Sequence, residues 1–194
     1  TRPETLKLGF TAGTGGLNNY HEVRNIDAST IAASLWNNQG TSTWGNNLNW
    51  SPTVVPTSGS DILFDNTFVS TNQTIDTGAN RTVRSVSFDA PFNYTVNNNT
   101  LTFDNQGVAG FSGISVTQTR GTGNQTINSN LALNNNIVVR NSSAGNLSLG
   151  GNIATNGKTL TFDGSGPGGT TSSGVVSGTG NVVKNDSLTA TLSG

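Results

Sequence analysis

The stretch Leu131-Ala132-Leu133-Asn134-Asn135-Asn136-Ile137-Val138-Val139 decides the fold class. Two short apolar-containing runs flank three asparagines. Asn accepts left-handed backbone angles and bonds its own backbone two residues on, so the triplet reads as a turn. The flanks read as strands of three residues, shorter than the roughly 5–6 residues that a sandwich prefers. Working outward, the same unit recurs in Val83 to Phe88, Tyr94-Thr95-Val96, Leu101-Thr102-Phe103, Ile114-Ser115-Val116, Leu147-Ser148-Leu149 and Leu160-Thr161-Phe162. Between these runs lie Asn97-Asn98-Asn99, Gly121-Thr122-Gly123-Asn124, Gly150-Gly151-Asn152 and Asn156-Gly157. Strands spaced by about 8–12 residues with turn formers between them indicate an all-β chain.

The shortness of the strands favours a stacked β-solenoid over the alternative, a β-sandwich. A repeated phrase points the same way. Val86-Ser87-Phe88-Asp89, Leu101-Thr102-Phe103-Asp104 and Leu160-Thr161-Phe162-Asp163 share one logic, with Ile62-Leu63-Phe64-Asp65 a looser copy. An apolar residue and a Phe point inward, and Asp opens the turn. The expected coil is about 20–25 residues and adds about 4.8 Å of height. One coil cannot bury its own apolar face and needs neighbours above and below.

Composition agrees with a thin core. Of 194 residues, 31% are hydrophobic and 10% charged, against roughly 45–50% and 25% in ordinary globular domains. Disorder would pair low hydrophobicity with high net charge, yet the formal charge is -1. Neutral amides and hydroxyls, including 28 Asn, carry the solubility, so self-association is weakly opposed. There is no Cys, hence neither a disulfide framework nor a thiolate metal site. No run reaches the roughly 18 apolar residues of a membrane span. Nine Lys and Arg are scattered, so no nucleic-acid footprint is present.

Three segments are expected. Residues 1–35 hold much of the charge and form an N-terminal arm or inter-subunit strand. Within it Leu6, Leu8 and Phe10 alternate with Lys7 and Gly9, a period-2 strand pattern. Asp27 to Trp36 offers the one plausible helix, with Asp27 or Ser29 as its N-cap. Residues 36–61 contain Trp36, Trp44 and Trp50 and form a cap or entry segment. Residues 62–194 form the solenoid.

Two stretches resemble the autotransporter-associated β-strand repeat of secreted bacterial passenger proteins. In the run from Gly178 to Gly194, Gly178, Gly180, Lys184, Leu188, Leu192 and Gly194 match the repeat. Asn185 and Asp186 stand where the family tends to have Thr-Gly. Trp44, Asn49-Trp50-Ser51, Val55-Pro56 and Asp61-Ile62-Leu63-Phe64-Asp65 resemble the entry segment of such proteins. The resemblance covers about residues 36–194. It implies a right-handed parallel β-helix at the bacterial cell surface or outside the cell, without a cofactor.

Candidate sites are few. The three tryptophans either stack on glycans or cap the first coil, and large aromatics more often pack than line pockets. Asp65, Asp89, Asp104 and Asp163 could form a calcium ladder, but Ca²⁺ needs 6–8 oxygens and the spacing is uneven, so turn initiation is the better reading. His21 is the single histidine, and Glu occurs only at Glu4 and Glu22, too few acids for a polysaccharide-cleaving groove. The chain is therefore expected to be a non-enzyme without metal or cofactor. The expected function is an extracellular structural protein that assembles with copies of itself into a fibre or layer. Leu6, Leu8 and Phe10 of the arm and Leu188 and Leu192 of the last coil are the candidate inter-subunit contacts. The alternative is an adhesin-type stalk that binds cell-surface glycans.

Overall fold

The computed structural model describes residues 33–38, 41–116, 122–187 and 189–194. The strand expected at Leu6 to Phe10, His21, most of the helix expected at Asp27 to Trp36, and Leu188 lie outside these residues. The chain divides into two units, Thr1–Ile31 and Ala32–Gly194, and the second contains every described strand.

That second unit is a parallel β-solenoid. It opens with β1 (Ser34–Trp36), β2 (Thr41–Thr43), a 3-10 turn at Asn47–Asn49 and β3 (Trp50–Ser51). Five coils of three strands follow. They are β4 (Asp61–Asp65), β5 (Gln73–Asp76) and β6 (Arg81–Val83), then β7 (Ser85–Asp89), β8 (Tyr94–Asn97) and β9 (Thr100–Phe103). The third is β10 (Gly113–Val116), β11 (Gln125–Ile127) and β12 (Asn130–Leu133). The fourth is β13 (Ile137–Asn141), β14 (Leu147–Leu149) and β15 (Ile153–Ala154), and the fifth β16 (Leu160–Asp163), β17 (Thr170–Ser172) and β18 (Val176–Ser177). The strands β19 (Val182–Lys184) and β20 (Ala190–Leu192) begin a further coil.

Stacking the coils produces three sheets. The first runs β19-β16-β13-β10-β7-β4-β1-β3, the second β2-β5-β8-β11-β14-β17-β20 and the third β18-β15-β12-β9-β6. Every pairing is parallel except β1 with β3. The register Ile62↔Val86↔Ile114↔Val139↔Phe162↔Lys184 gives coils of 24, 28, 25, 23 and 22 residues, within the expected length except for the second.

Alternation along each strand explains the thin core. In β8, Tyr94 and Val96 are buried while Thr95 and Asn97 are half-buried. Each strand sends only one to three side chains inward, so a 31% hydrophobic chain suffices. The inward column Ile75, Val96, Ile127 and Leu149 is buried without a gap. Fully burying such a side chain stabilises by roughly 1.5–3 kcal/mol.

Two sequence readings change. Ser34–Trp36, the end of the expected helix, is a strand. Trp36 packs inward while Ser34 and Leu35 pair in register with Ile62 and Leu63, and tertiary pairing overrides the weak local helix preference. The Phe-Asp phrases are also not equivalent positions of successive coils. Phe64 and Phe88 share a register, but Phe103 sits in another sheet and Phe162 is in register with Val86, two residues away from Phe88. A shift of two keeps the inward parity, so the phrase recurs without marking a coil.

Candidate functional site

The two ends of the stack differ. At the N-terminal end, the sequence Trp-Gly-Asn-Asn-Leu-Asn-Trp turns the chain back so that β3 pairs antiparallel with β1, placing Trp36 opposite Trp50. Asn46 caps the 3-10 turn by accepting from the Leu48 N–H at 3.0 Å. Asn49 is buried and donates to the Ser42 hydroxyl and to the Thr43 carbonyl. These bonds fold the turn over the first coil.

The three tryptophans close this end. Trp50 meets Trp36 edge-on at 5.0 Å between ring centroids and Trp44 at 4.8 Å. Phe64 lies beneath them, 6.2 Å from Trp36, and stacks on Phe88 at 5.3 Å. The indole N–H of Trp50 donates to the Trp44 carbonyl, and that of Trp36 to Gln73 Oε1. All three tryptophans are 0% exposed. The cluster is a cap, and no indole face is free for a sugar ring. The edge strand β3 is two residues long and is followed by Pro52, which has no N–H to offer another strand.

The C-terminal end has no such cover among the described residues. Strands β18, β19 and β20 form the C-terminal edges of the three sheets. Val182 stands in register above Leu160, and Leu192 above Ser172, both inward positions. Yet Val182 is 44% exposed and Leu192 49%, while Leu160 is buried. Val183 and Val175 are exposed beside them. Lys184 occupies the inward column of Phe162 and turns its amine to the Asp186 carbonyl at 3.0 Å.

The acidic residues are engaged elsewhere. Asp61 receives both the Arg84 guanidinium and the Ser85 hydroxyl, and this carboxylate raises the Arg84 pKa further. Asp65 accepts from the Thr67 N–H at 2.9 Å and from its hydroxyl at 2.7 Å. Asp104 accepts from the Gln106 N–H at 2.9 Å, which with Asn134 lowers its pKa. Asp163 pairs with Arg140 at 2.8 Å, and that pair holds its carboxyl below the usual value. These are turn and ladder contacts. The four Asp residues weighed for calcium do not form one column: Asp65 and Asp89 share a register, but Asp163 lies in register with Arg140 and Asp104 follows a strand of the third sheet. Among the described residues, no three His, Cys, Asp or Glu converge as a metal site. No helix there is long and apolar enough to cross a membrane.

Burial also acts on Tyr94, whose hydroxyl donates to the Asp65 carbonyl at 2.7 Å and whose pKa is pushed up by desolvation and by Asp65. Sequence reading missed the buried amides: Gln73, Gln125 and Asn141 point inward and bond to backbone carbonyls at the coil corners. Their place at inward parity was the available signal. Comparison with known proteins returned no matching family model, curated protein or solved structure.

Proposed function

We propose that this protein is a non-enzymatic, extracellular structural subunit that assembles with copies of itself through the apolar residues exposed on its last described coil. The observation that carries this reading is the asymmetry of the ends. A Trp cluster covers the core at one end, whereas Val182 and Leu192, at inward positions of the last described coil, are exposed at the other. Unpaired strand edges are templates for added strands. The proposed donor is the Leu6-to-Phe10 segment of another copy, because its alternating Leu6, Leu8 and Phe10 match the inward parity of an added strand. A coil-on-coil contact through the capped end is disfavoured, so assembly proceeds arm to last described coil, a contact that repeats without closing. The glycan-binding stalk receives no support from tryptophans with no free face.

Light scattering and negative-stain electron microscopy of the full chain over a concentration series test this. Filaments or concentration-dependent oligomers are expected. Deleting residues 1–12, or combining Val182→Lys with Leu192→Lys, is expected to leave monomers. A monodisperse monomer of the intact chain at high concentration overturns the proposal.

A further inference from the structure

The second sheet carries a regular polar lattice on its outer face. Thr74, Thr95, Thr126, Ser148, Thr171 and Thr191 stand one above another in unbroken register across six strands. Adjacent strands lie about 4.8 Å apart, so the hydroxyls repeat at that spacing. A second rank, two residues earlier, is Asn72, Asn93, Asn124 and Asn146. These amides are fixed: each Oδ1 accepts the backbone N–H of the next coil, at 2.9, 2.8, 2.9 and 3.1 Å. On the other flank Asp76, Asn97 and Asn128 continue the lattice, with the Asn128 amide donating to Asn97 at 2.9 Å. Asp76 is the one charged side chain on these three ranks.

Strand propensity alone would favour Thr on any face. The other two faces differ. The matching outward rank of the first sheet reads Leu63, Ser87, Ser115, Arg140, Asp163, and that of the third reads Thr82, Thr102, Ala132, Ala154, Ser177. Nor are the hydroxyls of the second sheet spent internally. Ser87 and Ser115 bond each other at 2.8 Å, whereas none of the six rungs from Thr74 to Thr191 bonds another protein group among the described residues.

Six unspent hydroxyls, five of them with a methyl beside them, therefore face solvent at a fixed repeat on a rigid support. A flexible soluble ligand gains little from such a repeat. A crystalline one gains at every rung, because the ordering cost has already been met in the fold. The face has no exposed aromatic ring for stacking sugars, and its groups match water in both senses, as donors and as acceptors. We infer that the outer face of the second sheet, centred on Thr95 and Thr126, binds the surface of crystalline water. The Thr methyls would seat between ordered waters and the hydroxyls and Asn amides would bond to them.

The test uses the intact chain, seeded ice and two readouts: the gap between melting and growth temperatures, and inhibition of recrystallisation. The wild type is expected to open a gap and keep crystals small. Thr95→Tyr and Thr126→Tyr should each lose both effects. Ser87→Tyr, on the first sheet's outer face, should retain them. Circular dichroism and thermal midpoints confirm folding, and Thr126→Val, which keeps shape but removes the hydroxyl, replaces any Tyr variant that does not fold. A wild type without either effect, or full activity in both Tyr variants, overturns the inference. Cosedimentation with microcrystalline cellulose or chitin but not with ice also overturns it and reassigns the face to a crystalline polysaccharide. Light scattering on the same samples separates this outcome from the assembly state.

Discussion

The backbone N–H of Asn124 donates to the side-chain Oδ1 of Asn93, one coil below, at 2.8 Å. The same bond links Asn93 to Asn72 and Asn146 to Asn124, so one side chain per coil supplies an acceptor between strands where the sheet begins. Asn93→Ala removes that acceptor and is expected to cost about 0.5–1.5 kcal/mol, toward the lower end because water can replace it. Asn93→Asp keeps an oxygen there and should cost less. Urea unfolding of the two variants decides; equal losses would count against the ladder.

The cap makes a larger prediction. Trp50 touches Trp36, Trp44 and Phe64 and is fully buried, so Trp50→Ala should destabilise by about 3–5 kcal/mol. Leu48 is in the same turn but 69% exposed, and Leu48→Ala should stay within about 0.5 kcal/mol. Thermal unfolding followed by near-ultraviolet circular dichroism reads both.

A corner of the stack forbids side chains. A Cβ on Gly145 would run into the Gly123 carbonyl, and one on Gly168 into the Gly145 carbonyl. Gly145→Ala must push backbone against backbone, and a loss of about 1–3 kcal/mol or more is expected. Gly169→Ala is the control, since its Cβ would meet the Thr189 carbonyl at a less severe 3.3 Å. Comparable midpoints for the two variants would remove the close-approach explanation.

Strong acid should weaken one outward contact. Arg140 holds the Asp163 carboxyl below its ordinary pKa. A depressed folded-state pKa adds stability that is present above the unfolded value and disappears as pH falls through the folded one. Asp163→Asn should therefore flatten part of the acid limb of the stability curve. Its cost near neutral pH should be under about 1 kcal/mol because Arg140 is partly exposed. Unfolding midpoints between neutral pH and the acid limb, with and without added salt, measure it.

Much of the architecture was legible in the chain. Strand positions such as Tyr94-Thr95-Val96 and Leu147-Ser148-Leu149 follow from alternation, since parity alone decides which side chain points inward. The Asn and Gly turns between them, the narrow core and the Trp cap were readable for the same local reason. Coil registration was not. Phe88 and Phe103 sit in nearly identical phrases yet lie in different sheets, because neighbours in a stack are set by the length of each corner rather than by the phrase itself.

What the sequence by itself determined, then, is the β-type, short-stranded, thin-cored character of this protein, because alternation and turn chemistry act within a few residues. Tertiary structure alone decided which residues share a rung. Only stacking brings Thr74, Thr95, Thr126, Ser148, Thr171 and Thr191 into one column, leaves Gly145 no room for a Cβ, and exposes Val182 at an inward position. Those relationships join residues 20 to 31 positions apart, where no local preference reaches, and they are set by the sum of three strands and three corners in each coil.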